Sequence, residues 1–308
     1  IIILGHMRFS EKTKMNPFIS RQCPLCDESK TKISIDPDAN PEKNLDKIQN
    51  YWRGFYEKKI FFPYSRCQCG FLYCEKYFSD DFLNTLYSNM EDNIYSGDSE
   101  TDHITKDMYV DEINKMIKDR GNLSVLEIGA DNGTIIKKLK KYKNIIDFTA
   151  VEPNKKMHNN LSELTENVFS DLSELPKNKT FDIIVCIHVL DHIPKIDGYI
   201  KDLASLINKD GFLFGVVHDE SSTLAKLLGK RWPAYCLQHP HLFNQKTIND
   251  LMQRVGLREI KVFKTTNSFK FGYLLSQLYL ALLKKNIKFP SLFNIKIRLG
   301  NIGFIFRK

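Results

Sequence analysis

The sequence predicts an α/β fold, a doubly wound sheet of seven strands preceded by a small cysteine-rich module. Three observations carry that reading. From Asn122 onward, short β-rich apolar runs alternate with helical patterns, as in a parallel sheet covered by helices on both faces. Five of the seven cysteines fall before residue 75, in a stretch of weak periodicity rich in Pro and aromatic residues. And 308 residues with 42% apolar content can bury one full core, with room for a second, smaller unit.

Taken in order, residues 1–15 read as a tag or unstructured start. The apolar run of "IIILGHM" is too short for a membrane span or a signal core. Gly5-His6-Met7 has the look of a cloning scar, which places the natural start at Met7 or Met15. Residues 16–75 form the expected metal-stapled module. An odd number of cysteines clustered in one region points to a metal site in a reducing compartment rather than to disulfides. Cys23 and Cys26 make one close pair and Cys67 and Cys69 another, and four such thiolates can close a tetrahedral structural zinc site. The second pair is one residue shorter than C-x-x-C, so Cys74 is open as a replacement for Cys67 or Cys69. Cys186 and Cys236 read as packing residues. Residues 76–120 hold two helical patterns, around "SDDFLNTLYSNM" and "KDMYVDEINKMIKDR", with the polar loop "EDNIYSGDSETDHI" between them.

Residues 121–308 supply the sheet. Its strands are "LSVLEIG", "DFTAVEP", "NVFSD", "FDIIVCIHV", "GFLFGVVH", "REIKVFKT" and "NIGFIFRK", with helices such as "GTIIKKLKKY" and "NQKTINDLMQRVG" in the gaps. "SFKFGYLLSQLYLALLKKN" reads as one strongly apolar helix between the last two strands. It suits the core or a homodimer surface, and its Lys-rich end leaves a membrane-lying role open. No segment reaches spanning length, so the protein is expected to be cytoplasmic. The net charge of +8 suits anionic partners: nucleotides, sugar phosphates, RNA or a membrane surface.

The stretch "VLEIGADNGT" identifies the ligand class. A strand ending in Gly129-x-x-x-Gly133 before a helix lets backbone approach a ligand closely. It lacks two of the three glycines of the dinucleotide fingerprint, and Glu127 would repel a pyrophosphate. A carboxylate there attracts a cation instead. Glu152 closes the next strand, where an acid can accept both hydroxyls of a ribose. A ribonucleoside carrying positive charge meets both demands, and S-adenosylmethionine (SAM) is one.

With those motifs in place, residues 120–220 resemble a class I SAM-dependent methyltransferase, a Rossmann-like fold. "VLEIGADNG" resembles that family's acid-x-Gly-x-Gly-x-Gly loop, with Asp131 in the central Gly position. The resemblance implies Glu127, Gly129, Asp131 and Gly133 near the methionine end. It implies Glu152 and Pro153 at the ribose, Asp171 and Leu172 at the adenine, and the backbone near His188, in "IVCIHVLDHIP", at the SAM amino group. The whole chain resembles bacterial sugar methyltransferases, in which a "CxxC…CxxCGlvy" module precedes the class I domain. "RCQCGFLY" matches from Cys69 onward. The tyrosine-rich segment "LYSNMEDNIYSGDSETDHI" resembles their lid, which implies Tyr87 near the substrate and Tyr95 near SAM. The chain ends at its seventh strand, without the added C-terminal domain of the deoxysugar C-methyltransferases. That shifts weight from C-methylation of a keto-deoxysugar toward O-methylation.

Methyl transfer is an in-line displacement, helped by alignment and by a base that takes the nucleophile's proton. His titrates nearest neutrality, and His188, His192, His218, His239 and His241 are available. "AYCLQHPHLFNQKTI" resembles the family's "YxEHxxxFs" segment, which implies His239 as base, with Gln238 where the family has Glu. His192 stands second, and His241 is expected to position substrate. Arg231 and Trp232 are candidates for a substrate phosphate and a stacking face. The expected substrate is a sugar, nucleotide-linked or a surface-polysaccharide precursor. The alternatives are an RNA base methyltransferase with a zinc ribbon and a non-catalytic binding subunit. The cysteine region lacks the aromatic–basic stripe of a nucleic-acid reader, and an intact cofactor motif argues against a dead domain.

Overall fold

The computed structural model describes residues 16–52, 58–88, 100–283, 285 and 287–308. The N-terminal module contains β1 (Phe18–Ser20), β2 (Thr31–Ile35), β3 (Tyr64–Cys67), β4 (Leu72–Cys74) and β5 (Lys76–Phe78). β2, β3 and β4 pair antiparallel, and β1 pairs with β5. The module's pairing therefore runs past residue 75 to Phe78. Two helices follow, α1 (Asp80–Ser88) and α2 (Glu100–Ile117). α2 begins inside the stretch that reads as a polar loop. Its buried residues Thr105, Tyr109, Val110, Ile113 and Ile117 form one stripe toward the sheet, which stabilises a helix whose overall composition is polar.

The large sheet follows in alternation: β6 (Leu123–Ile128), α3 (Thr134–Leu139), β7 (Ile145–Val151), α4 (His158–Ser162), β8 (Asn167–Phe169), β9 (Phe181–Ile187), α5 (Ile196–Leu206) and β10 (Ile207–His218). After β10 come α6 (Thr223–Leu228), β11 (His241–Leu242), α7 (Gln245–Arg254), β12 (Arg258–Lys264), β13 (Asn267–Lys270), α8 (Phe271–Leu283), β14 (Asn294–Ile297) and β15 (Asn301–Arg307). The strand order is β12-β15-β10-β9-β6-β7-β8, so all seven expected strands form one sheet. β6 and β9 are near-continuous apolar runs because both their faces are covered. β12, an edge strand, carries charges at Arg258, Glu259, Lys261 and Lys264.

Two expectations need correction. The sheet is not wholly parallel: β15 runs antiparallel to both β10 and β12. The chain leaves β12 and returns from the same end through the β13–β14 hairpin, so β15 must run the opposite way. The apolar segment is not one helix from Ser268, since Ser268–Lys270 belong to β13 and α8 starts at Phe271. Nor is α8 a core helix: among its described residues only Gly272 is buried.

The module is not a separate bead. β11 leaves the domain to pair with β4, extending the small sheet to β11-β4-β3-β2. Cys23, Leu25, Phe71 and Tyr73 share a core with Ile196, Phe243 and Ile248. Arg21 donates to the Cys74, Pro240 and Pro194 carbonyls, and Arg66 makes two bonds of 2.9 and 2.8 Å to Glu220. Among the described residues no helix is long and apolar enough to cross a membrane.

Candidate active site

The strand order reverses between β6 and β9, and an open α/β sheet binds ligands in the crevice outside that switch point. The glycine turn lies there. Gly129, Asp131 and Gly133 all have positive φ, at 67°, 50° and 71°. A Cβ on Gly129 would meet Val189 at 2.6 Å, and one on Gly133 would meet Leu164 at 2.4 Å. Gly is thus required twice, by conformation and by space. The Gly129 N–H donates to Val151 O at 2.8 Å, tying the turn to β7.

Two buried acids bracket the turn. Glu127 accepts the Ile136 N–H at 3.2 Å, and Glu152 accepts the Asp131 and Asn154 N–H groups, each at 2.8 Å. Burial raises both carboxyls above their ordinary range, Glu127 to about 8 although Lys106 opposes the shift. Two buried carboxyls short of countercharge are what a cationic ligand would ionise and neutralise. This donor set fits a sulfonium nucleoside. Pro153 is exposed beside Glu152. Asp171 is also exposed and caps a 3₁₀ turn by accepting the Ser173 N–H at 2.9 Å, while Leu172 packs on the core.

Four histidines converge at the ends of β9 and β10. His188 follows β9 with φ 52°, its N–H on Val216 O at 2.8 Å. Its ring centroid lies 4.6 Å from that of His218, which lies 4.8 Å from His239, itself 4.7 Å from His192. Beneath them Asp191 is 0% exposed and accepts both the His218 N–H (3.0 Å) and its Nδ1–H (2.6 Å). That bond leaves His218 Nε2 as an acceptor. His239 Nδ1 donates to Ala234 O at 2.7 Å, with Cys236 Sγ at 3.4 Å. Cys236 is therefore more than packing.

Charge within the cluster is unequal. Burial pulls His188 down to about 3, with the His218 charge adding to the effect. It also holds His192 and His218 below the imidazole range, although Asp191 pulls His218 the other way. Burial works against a proton on His239 as well, but Cys236 and Asp191 outweigh it and raise that group to about 9. Asp191 stays below the usual carboxylate range despite its burial, because the imidazoles around it favour its charge.

The structure thus brings His188, His192 and His239 together. Tyr87 joins them, its hydroxyl 3.4 Å from His192 Nδ1. Tyr95 lies outside the described residues. Trp232 is not an open stacking face: it is buried, with ring contacts to His218 and Tyr235. Arg231 is half-buried in the adjoining turn. His241 is fully buried, and its Nε2 donates to Leu190 O at 2.9 Å. It braces β11 against the "LDH" turn instead of facing a substrate. Sequence reading missed Asp191, although the acid stands in plain view in "VLDHIP".

Four of the five N-terminal cysteines gather their sulfurs in one place. Sγ of Cys23 lies 3.6 Å from that of Cys69, and Cys26 Sγ lies 3.3 Å from Cys67 Sγ. All four sulfurs fall within 4.8 Å of one another. A tetrahedral ion with metal–sulfur bonds of about 2.3 Å needs sulfurs roughly 3.8 Å apart, so the group fits. Cys74 is not part of it, being buried with Sγ on Phe62 O at 3.5 Å.

A family model described as a methyltransferase domain matches residues 102–262, just over half of the chain. No curated protein matches in sequence. Solved structures share the fold. The complex between the Haloferax volcanii Trm112 methyltransferase activator and a methyltransferase aligns at TM-score 0.50 and 10% identity, over 71% of this chain and 99% of that one. The N-methyltransferase NodS of Bradyrhizobium japonicum WM9, in complex with S-adenosyl-L-homocysteine, aligns at 0.46 and 13%, over 73% and 96%. An S-adenosylmethionine-dependent methyltransferase of Clostridium acetobutylicum aligns at 0.47 and 11%, over 73% and 98%. The glycine turn, its two buried acids and the family match agree, and the chain belongs to the methyltransferase-domain family, as a methyltransferase.

Proposed function

We propose that this enzyme methylates a hydroxyl of a sugar, either nucleotide-linked or part of a surface-polysaccharide precursor. The observation that carries this reading is the enclosed imidazole cluster over Asp191, at the sheet end that the glycine turn also occupies. A sugar hydroxyl is a poor nucleophile until its proton has somewhere to go, and this cluster offers a place for it. SAM supplies an electrophilic methyl group on a sulfonium. Glu127 and Glu152 would hold its cationic and ribose parts, and the backbone beyond His188 its amino group.

The roles within the cluster follow from charge. A base must be neutral at working pH, and His218 is, with Asp191 fixing its Nδ1–H so that Nε2 accepts. His239, raised to about 9, carries its proton at neutral pH and donates from Nε2 to the substrate. The expected base therefore becomes the donor, and its neighbour takes the hydroxyl proton. His192 stays neutral and is held by Tyr87. Zn²⁺ on Cys23, Cys26, Cys67 and Cys69 would be structural, because four thiolates leave no open position.

Transfer of labelled methyl from SAM into extracts of the source cells tests the substrate class. Label in a low-mass fraction that behaves as a sugar nucleotide or glycan precursor is expected. Label released only by ribonuclease would overturn the reading in favour of RNA.

A further inference from the structure

The last part of the chain is unlike the rest in charge. After Glu259 there is no acid, while ten Lys and Arg residues follow, more than the whole chain's net +8. The same part holds the exposed apolar surface. Of the nine exposed large apolar side chains among the described residues, six lie between residues 278 and 297. They are Leu278 (39%), Leu283 (56%), Ile287, Leu292 (85%), Phe293 (54%) and Ile297. Lys285, Lys288, Lys296 and Arg298 are exposed among them.

This part is built, not frayed. α8 runs out and the chain returns along it. Phe271 stacks on Phe293 at 4.9 Å, Tyr279 meets Phe289 at 4.9 Å, and the Phe289 N–H donates to Ser276 Oγ at 3.0 Å. The return crosses so close to Gly272 that a Cβ there would meet two carbonyl oxygens at 2.4 Å. At its root, Ser268 N–H donates to Thr105 Oγ1 and Asn267 Nδ2 to Tyr109 OH, fixing the hairpin to α2. α8 itself, "FGYLLSQLYLALL", carries no charge at all. A helix apolar all round is ordinarily buried, and this one is not.

We propose that residues 271–298 dock the enzyme on the surface of an anionic phospholipid bilayer. Leucines and isoleucines would enter the headgroup–acyl boundary, while the four cations meet lipid phosphates. A second copy of the chain is a poorer occupant, since two such faces would bring like charges together; among the described residues one acid touches the segment, Glu100, through Asn294. Nucleic acid is poorer too, because Phe293 is the one strongly exposed aromatic among the described residues and it already stacks on Phe271. The hairpin leaves from the carboxyl end of β12, which runs parallel to β10. It therefore projects from the sheet end that carries the histidine cluster, and docking would set the active site beside the bilayer. The docking itself does not depend on the sugar reading.

Co-flotation of the full chain with vesicles of phosphatidylcholine, with and without equal parts phosphatidylglycerol, tests this. Binding to the anionic vesicles is expected, at least about tenfold weaker on phosphatidylcholine alone and released as salt rises. Leu283→Asp with Leu292→Asp, and separately Lys285→Glu with Lys288→Glu, should each weaken flotation by about tenfold or more. Unchanged SAM affinity by calorimetry would show these variants folded. Absence of flotation, equal flotation on both vesicles, or indifference to the variants overturns the proposal. So does a dimer that the leucine variants dissociate, or retention on single-stranded RNA without vesicle binding.

Discussion

Glu152→Ala tests the cofactor site most directly. In the folded protein the two oxygens of Glu152 are the acceptors for the Asp131 and Asn154 amides, both at 2.8 Å, and its side chain is buried. Removing it leaves two amides short of partners, at roughly 1–3 kcal/mol each. Part of that is recovered where water enters. The Asp131 amide belongs to the glycine turn, so the loop also loses one tie to the end of β7 and keeps the Gly129 N–H bond to Val151 O. In the complex, two ribose hydroxyls would lose a charged acceptor, at roughly 1.5–3 kcal/mol each. The sum on affinity is about 3–6 kcal/mol, or a factor of roughly 10² to 10⁴ in Kd. Titration calorimetry with SAM should therefore show binding weakened at least about a hundredfold, in practice abolished. Glu152→Gln should be intermediate, since one oxygen remains while an NH₂ faces a backbone donor. A Kd within a few-fold of the parent in a folded Ala variant would refute both the ribose role and the placement of SAM over this turn.

The other predictions are briefer. Metal analysis of the purified protein should find one Zn²⁺ per chain, and Cys26→Ser should lose it together with several degrees of melting temperature; a metal-free parent with unchanged stability would remove the zinc assignment. Asp191→Asn should cut turnover by about 10²–10⁴ with SAM affinity unchanged, because it weakens the base and frees the wrong tautomer. In the parent, the rate should fall on the alkaline side as His239 deprotonates near 9, and His239→Asn should remove that limb. The same proton should also stabilise the fold, fully below the ordinary imidazole range and progressively less as pH rises through 9, as chemical denaturation across that window can measure. Gly133→Ala should destabilise by roughly 2–4 kcal/mol, from a left-handed φ and a Cβ against Leu164, read as a lower denaturation midpoint.

What the sequence discloses is what local pattern encodes. The seven strands were legible because runs such as "FDIIVCI" are apolar on both faces, and the glycine turn because Gly129 and Gly133 answer a conformational need. Strand direction was not legible: nothing in "NIGFIFRK" records that the chain comes back from the end at which β12 finished. Nor was β11, since two residues in a loop carry no periodicity. Asp191 and His218 meet only because β9 and β10 are in register, which a reading along the chain cannot see. Hydropathy identified α8 as apolar but was silent on what covers it. The spacing of the cysteines left Cys74 open as a ligand, and its exclusion required the β3–β4 pairing that turns its sulfur toward Phe62.

The module's placement gives it a part in holding the His239 loop that its cysteines alone would not suggest. The segment from Ala234 to Pro240 carries His239 and has no helix or strand of its own. Buried backbone of that kind needs partners from elsewhere. The module provides them: Tyr77 OH donates to Leu237 O at 2.6 Å, Tyr64 OH to His239 O at 2.6 Å, and Arg21 to Pro240 O at 2.9 Å. The Cys74 N–H adds a second bond to Pro240 O, and β11 continues the same pairing. His239 is therefore held from behind by the cysteine module and from the front by Ala234 and the imidazole cluster. β4, between Cys69 and Cys74, links the two. Loss of the four-sulfur site should thus be felt at His239 before it is felt at Glu152, which sits across the sheet on β7's end and touches no module residue in the contacts described. A loop without secondary structure of its own can be accurate only if a rigid neighbour holds it, and here that neighbour is the cysteine module.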